Sequence, residues 1–212
     1  MRATICAAFL AGLGAAPALA HPHVWVTAKA ELVYEADGRV SAVRHAWTFD
    51  PAYSAYVTQG LDKNKDGKLT SEELQELAKI NAESLSEFDY FTVVKANGAA
   101  LPFDGVRDYA MTFDKDQATL TFTLGLKPPA RPARTLALEI YDPSYFVAFR
   151  LADGDDAVRL AGGPKGCATT ITRPKPIDAA QQQRLSEAFF EALTAASNFG
   201  ANYANRAIVA CP

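Results

Sequence analysis

The chain has 212 residues, with 21 Lys and Arg against 24 Asp and Glu, a net charge of −3, and 49% hydrophobic residues. That length supports one good core or two small ones. Mild acidity with dispersed bases gives no electrostatic footprint for nucleic acid.

The N-terminus reads as an export signal. Arg2 supplies a positive start, Ile5 to Leu19 is apolar apart from small residues, and Ala18-Leu19-Ala20 matches the small-residue cleavage pattern. The apolar run falls short of the roughly 20 residues a membrane helix needs, and nothing later reaches that length. Residues 1–20 are therefore expected to be a signal peptide. Residues 21–212 are expected to form a single β-rich domain, exported to the periplasm, with no transmembrane segment. Cys167 and Cys211 remain after cleavage, and an even pair in an oxidising compartment predicts one disulfide.

The mature start reads as a long hairpin. Val24, Val26, Ala28 and Ala30 alternate with Trp25, Thr27 and Lys29, Asp37-Gly38 marks the turn, and Val40 to Phe49 returns. Pro51 to Gln59 is short and helical. Ser71 to Leu85 is a clear helix, with Leu74, Leu77, Ala78, Asn81 and Leu85 on one face. Beyond Phe88 the pattern is β. Tyr90–Ala96 and Ala99–Phe103 flank Asn97-Gly98, and Tyr109–Phe113 and Ala118–Leu124 flank a polar turn. Pro128 to Pro132 reads as a connector. Thr135–Ile140, Tyr145–Leu151, Ala157–Leu160, Cys167–Thr172 and Ala207–Ala210 read as short strands, and Ile177 to Ala196 as a helix. The expected class is mainly β (α+β): a β-sandwich or open barrel with an EF-hand helix-loop-helix inserted at about 51–85 and a C-terminal helix.

Between the two predicted helices, Asp62 to Glu73 fits the twelve-position EF-hand template. Calcium is a hard cation that takes about six to eight oxygens. Asp62, Asn64 and Asp66 supply side-chain oxygens, Lys68 a backbone carbonyl, Thr70 a water-mediated contact, and Glu73 both carboxylate oxygens. Gly67 makes the sharp turn and Leu69 is the apolar plug. A polar turn could share this composition, but the apolar helix flanks at Tyr56, Val57, Leu61, Leu74 and Leu77 agree with the loop. Sensor EF-hands work in pairs and expose a Met-rich groove. With one loop and only Met111 after the signal, the calcium reads as a structural brace.

All three histidines, His21, His23 and His45, lie in the first hairpin. After cleavage the α-amine and imidazole of His21 can chelate a metal together with His23, a nitrogen set suited to Cu(II), Ni(II) or Zn(II). The plain alternative is two polar residues at a frayed end. A tight Asp37-Gly38 turn makes paired positions sum to about 75, which sets Asp50 opposite Val24 or Trp25 as a completing carboxylate. Asp142 is a more distant one, and His45 reads as a core or surface residue. The strand aromatics read as core. No histidine is placed to activate a serine, so the chain is not read as an enzyme.

His21-Pro22-His23-Val24-Trp25-Val26, Trp47-Thr48-Phe49-Asp50, the Asp62–Glu73 loop, Glu87-Phe88-Asp89-Tyr90-Phe91 and Tyr141-Asp142-Pro143-Ser144-Tyr145-Phe146 carry a family resemblance. Together they resemble a domain-of-unknown-function family of exported bacterial proteins, described as the periplasmic component of an uncharacterised ABC-type transport system. The resemblance implies metal handling beside a nickel/cobalt-type permease of the membrane. A calcium-stabilised interaction module with no transition-metal role is the alternative.

Overall fold

The computed structural model describes residues 22–131, 135–175, 177 and 198–212. His21, the signal segment and most of the expected C-terminal helix, Ile177 to Ala196, lie outside them.

The first hairpin forms as its alternation requires. Strand β1 (Val24–Tyr34) buries every second residue, and β2 (Val40–Phe49) pairs with it antiparallel. The register runs from Val26↔Phe49 to Val33↔Ala42 and then shifts before Tyr34↔Val40. The chain next forms α1 (Pro51–Val57), a loop, α2 (Gln75–Ser84) and a 3-10 stretch, Leu85–Phe91. Helix α2 starts later than the expected Ser71, because residues 71–74 are turns. Its sealed side carries Leu74, Ala78, Ala82 and Leu85, with Leu77 and Asn81 half-buried at the margin.

Strands β3 (Thr92–Ala96) and β4 (Ala99–Ala100) turn on Asn97 and Gly98, at φ 50° and 87°. Strands β5 (Phe103–Asp114) and β6 (Gln117–Ala130) are longer than expected. The Pro128 stretch extends β6 to Ala130 where a connector was expected. Then come β7 (Thr135–Ile140), β8 (Val147–Leu151), β9 (Val158–Ala161), β10 (Ala168–Thr172) and β11 (Asn205–Ala210).

These strands make two sheets, not a closed barrel. One runs β5-β6-β2-β1-β8, with β9 also pairing β1; the other runs β10-β11-β7-β3-β4. Strands β8 and β9 pair β1 in parallel, and the remaining pairings are antiparallel. A single core draws Leu32, Val43, Trp47, Leu120, Phe122 and Leu124 from the first sheet and Val94, Leu136, Leu138, Ile140 and Val209 from the second. Each large side chain fully buried there contributes about 1.5–3 kcal/mol of transfer free energy. Leu74, Ala78 and Leu85 join the same core, so α2 is seated on the first sheet.

Two ties hold the C-terminal segment. The expected disulfide is present between Cys167 and Cys211, joining residues 44 apart. Gly200 packs against the corner at Asp142-Pro143 and donates to the Pro143 carbonyl at 2.9 Å. A Cβ at Gly200 would stand 1.7 Å from the Asp142 oxygen, so only glycine fits there.

Candidate functional site

The loop between α1 and α2 is organised by its own side chains. Asp66 N donates to both Asp62 Oδ1 (3.2 Å) and Asn64 Oδ1 (2.9 Å), which brings those two oxygens to one point. Gly67 N donates to Asp62 Oδ2 at 3.0 Å and Lys68 N to Asp66 Oδ1 at 2.8 Å. Local side-chain acceptors of this kind stabilise turns in place of regular structure. Glu73 closes the ring: Oε1 accepts from Lys63 N and Oε2 from Thr70 N, each at 3.0 Å. The Thr70 hydroxyl also donates to Oε2 at 2.9 Å and receives Glu73 N at 3.3 Å, a reciprocal cap on the turns entering α2. The Thr70 amide and hydroxyl, followed by the Lys63 and Asn64 amides, hold the Glu73 carboxyl below its ordinary range.

Gly67 has φ +78°, and an added Cβ would meet nothing within 4 Å. The glycine therefore answers to the positive φ of the sharp turn, and neighbouring atoms leave room for a Cβ. Leu61, Leu69 and Leu77 pack against the core and fix the loop to the body. A cleft of about 620 Å³ lies between the loop and the β5–β6 turn, lined by Asp62 and Thr70 on one side and Asp114 and Asp116 on the other.

The loop's donors are all oxygens: three carboxylates, the Asn64 amide, the Lys68 carbonyl and the Thr70 hydroxyl. Ionised carboxylate oxygens keep lone pairs after accepting one N–H each. The set suits a hard cation and offers nothing to a soft one. Among the described residues, no three His, Cys, Asp or Glu side chains stand grouped as a metal shell. In the loop, two of the six positions are an amide and a main-chain carbonyl.

The N-terminal set is arranged differently. His21 lies outside the described residues. His23 is exposed, donates its amide to the Phe146 carbonyl at 2.9 Å, and rests its ring on Phe146 with centroids 4.6 Å apart. Asp50 does lie opposite Trp25, whose carbonyl receives Asp50 N at 2.9 Å. Both of its carboxylate oxygens have structural partners. Oδ1 caps α1 through Tyr53 N and Oδ2 receives Trp25 N, each at 3.0 Å. Asp50 thus ties β1 to α1.

Asp142 is likewise committed: Oδ1 accepts the Ser144 amide and hydroxyl, and Oδ2 accepts Val147 N. His45 is 3% exposed, pairs with Ala30, and stacks on Phe122. Its Nε2 lies 3.4 Å from Thr92 Oγ1, while Nδ1 has no hydrogen-bond partner among the described residues. Burial pushes its pKa down from 6.5 to about 3.

The sequence reading missed where the aromatics gather. Trp47, Phe49, Phe88, Phe91, Phe146 and Phe149 line one cavity of about 520 Å³ between α2, β1, β2 and β8. Strand alternation told which side each faces; the shared void depends on the whole topology.

Fold and loop together define a two-sheet, mainly β protein carrying an oxygen-lined helix-loop-helix on one sheet. The chain belongs to the family described as protein of unknown function (DUF1007), whose pattern matches residues 6–211. Comparison with curated proteins finds no match.

Proposed function

We propose that this is an exported, periplasmic calcium-binding protein that serves as an accessory component of a transition-metal transport system. Its calcium sits in an EF-hand loop, Asp62 to Glu73, and braces the fold. The observation that carries the reading is the hydrogen-bond ring of the loop, in which Asp62, Asn64, Asp66 and Glu73 are all held by loop amides. Such preorganisation removes part of the ordering cost of cation binding.

The transition-metal site of this reading is the mature N-terminus, with the amine and imidazole of His21 and the imidazole of His23, for nickel, cobalt, zinc or copper. Asp50, which lies opposite Trp25, is the completing carboxylate of this reading. The role is one of binding and delivery to a membrane permease, not catalysis. Calorimetry on protein beginning at His21, beside protein with one extra residue ahead of it, tests the site. The expected result is Cu(II) or Ni(II) binding in the first and at least tenfold weaker binding in the second. Negligible binding in both contradicts it.

A second reading is favoured by one observation, the seating of the His23 amide and ring on Phe146. There the protein is a calcium-stabilised module that docks on a permease without a transition metal. It predicts that chelating calcium abolishes permease capture while His21→Ala and His23→Ala leave capture intact.

A further inference from the structure

The apolar cavity stands apart from both metal readings. Its wall combines Val24 and Val26 of β1, Trp47 and Phe49 of β2, Leu85 and Phe88 beyond α2, and Phe146 and Phe149 around β8. Protein interiors are close-packed, with few voids larger than a water molecule. A hydrocarbon-walled space of about 520 Å³ falls instead in the roughly 300–1,000 Å³ range of small-molecule sites.

Three further observations point to a ligand. Phe88 and Phe146 are 51% and 45% exposed at its edge, although both are large and apolar. Asp89, Tyr90 and Phe91 have φ of 49°, 56° and 47°, and Tyr145, between the lining residues Ser144 and Phe146, has 60°. Such conformations are costly for bulky residues and cluster at ligand clamps. Finally, one polar group of a wall residue is buried with no hydrogen-bond partner among the described residues: the indole N–H of Trp47.

Charge narrows the occupant. Among the described residues, no Lys, Arg or His lines the cavity, and the one carboxylate there, Asp142, already accepts three hydrogen bonds from its own corner. An anion would find no countercharge among the described residues, and a bare cation would find a single carboxylate already engaged by three donors. We infer that the cavity binds a neutral, mainly hydrocarbon small molecule bearing a hydroxyl or carbonyl oxygen, which accepts from the Trp47 indole N–H.

Nile red, a neutral planar dye with one carbonyl, is the probe. The mature protein should bind it saturably, one per chain, with enhanced and blue-shifted emission. Ser84→Phe on α2 and Val147→Phe on β8 should each weaken binding at least tenfold, whereas Thr170→Phe on β10 should leave it unchanged. In the wild type, the indole N–H resonance of Trp47 should move with the titration while that of exposed Trp25 stays. That measurement stands even if a filled variant fails to fold. Absence of saturable binding, a stationary Trp47 resonance, or full binding by a folded Ser84→Phe protein overturns the inference.

Discussion

The Asp62–Glu73 loop and the apolar cavity lie at opposite ends of α2 and are built on opposite principles. Every proposed cation donor in the loop comes from one twelve-residue stretch, and its internal hydrogen bonds span at most ten residues. The cavity is assembled from β1, β2, α1, α2, β6 and β8 together with the Asp142 corner, so it exists only when these distant segments have come together. Local sites can be preorganised by their own side chains, whereas a non-local one inherits its shape from the whole fold. Helix α2 joins them, because it leaves the loop and then supplies Asn81 and Ser84 to the cavity wall.

The sharpest way to separate the regions is to weaken the fold far from both. Replacing Cys167 and Cys211 by Ser should lower unfolding free energy by about 3–4 kcal/mol in the loop-entropy account, read by urea denaturation. Calcium stoichiometry at the local loop should stay at one per chain. Loss of calcium binding in the folded variant would break the contrast.

Acid tests the non-local core beside the cavity through His45, whose ring packs edge-on against Trp47. Its folded pKa of about 3 lies below the ordinary 6.5, so between those values the unfolded chain holds a proton that the native state lacks. Stability is therefore fully present above about pH 6.5 and falls as pH drops toward 3, by up to about 1.4 kcal/mol per unit. His45→Phe should flatten that dependence in denaturant titrations at several pH values. An unchanged slope would show that other groups govern it.

Asp50 ties β1, which walls the cavity, to α1, which leads to the loop. Asp50→Ala removes the cap of α1 and the tie to Trp25, and should cost about 1–2 kcal/mol in thermal or denaturant unfolding. The smallest effect is expected at exposed His23, where His23→Ala should change stability by less than about 0.5 kcal/mol. A larger loss there would make His23 a structural residue.

The local features were legible because their causes are local. Alternation and the Asp37-Gly38 turn predicted the β1–β2 register through Val33↔Ala42, and with it the place of Asp50 beside Trp25. That Asp50 and Asp142 also cap backbone amides was not legible, because the Trp25 and Val147 amides reach them only in the fold. The parallel pairing of β8 and β9 with β1 depends on long connections that carry no register signal. Strand β5 extends back to Phe103 through irregularities near Gly105 and Arg107 to Ala110, which blur its alternation. The same non-locality hid the cavity among aromatics that individually read as core.

The central claim is that the loop binds one calcium ion and holds it through Glu73. Calorimetric titration of the mature protein with Ca²⁺ tests it directly, beside Glu73→Gln. One site per chain is predicted, with an affinity near the roughly 10⁻⁴–10⁻³ M class of extracellular modules and at least a tenfold loss in the variant. Absence of binding at millimolar Ca²⁺, or equal binding by Glu73→Gln, would contradict it.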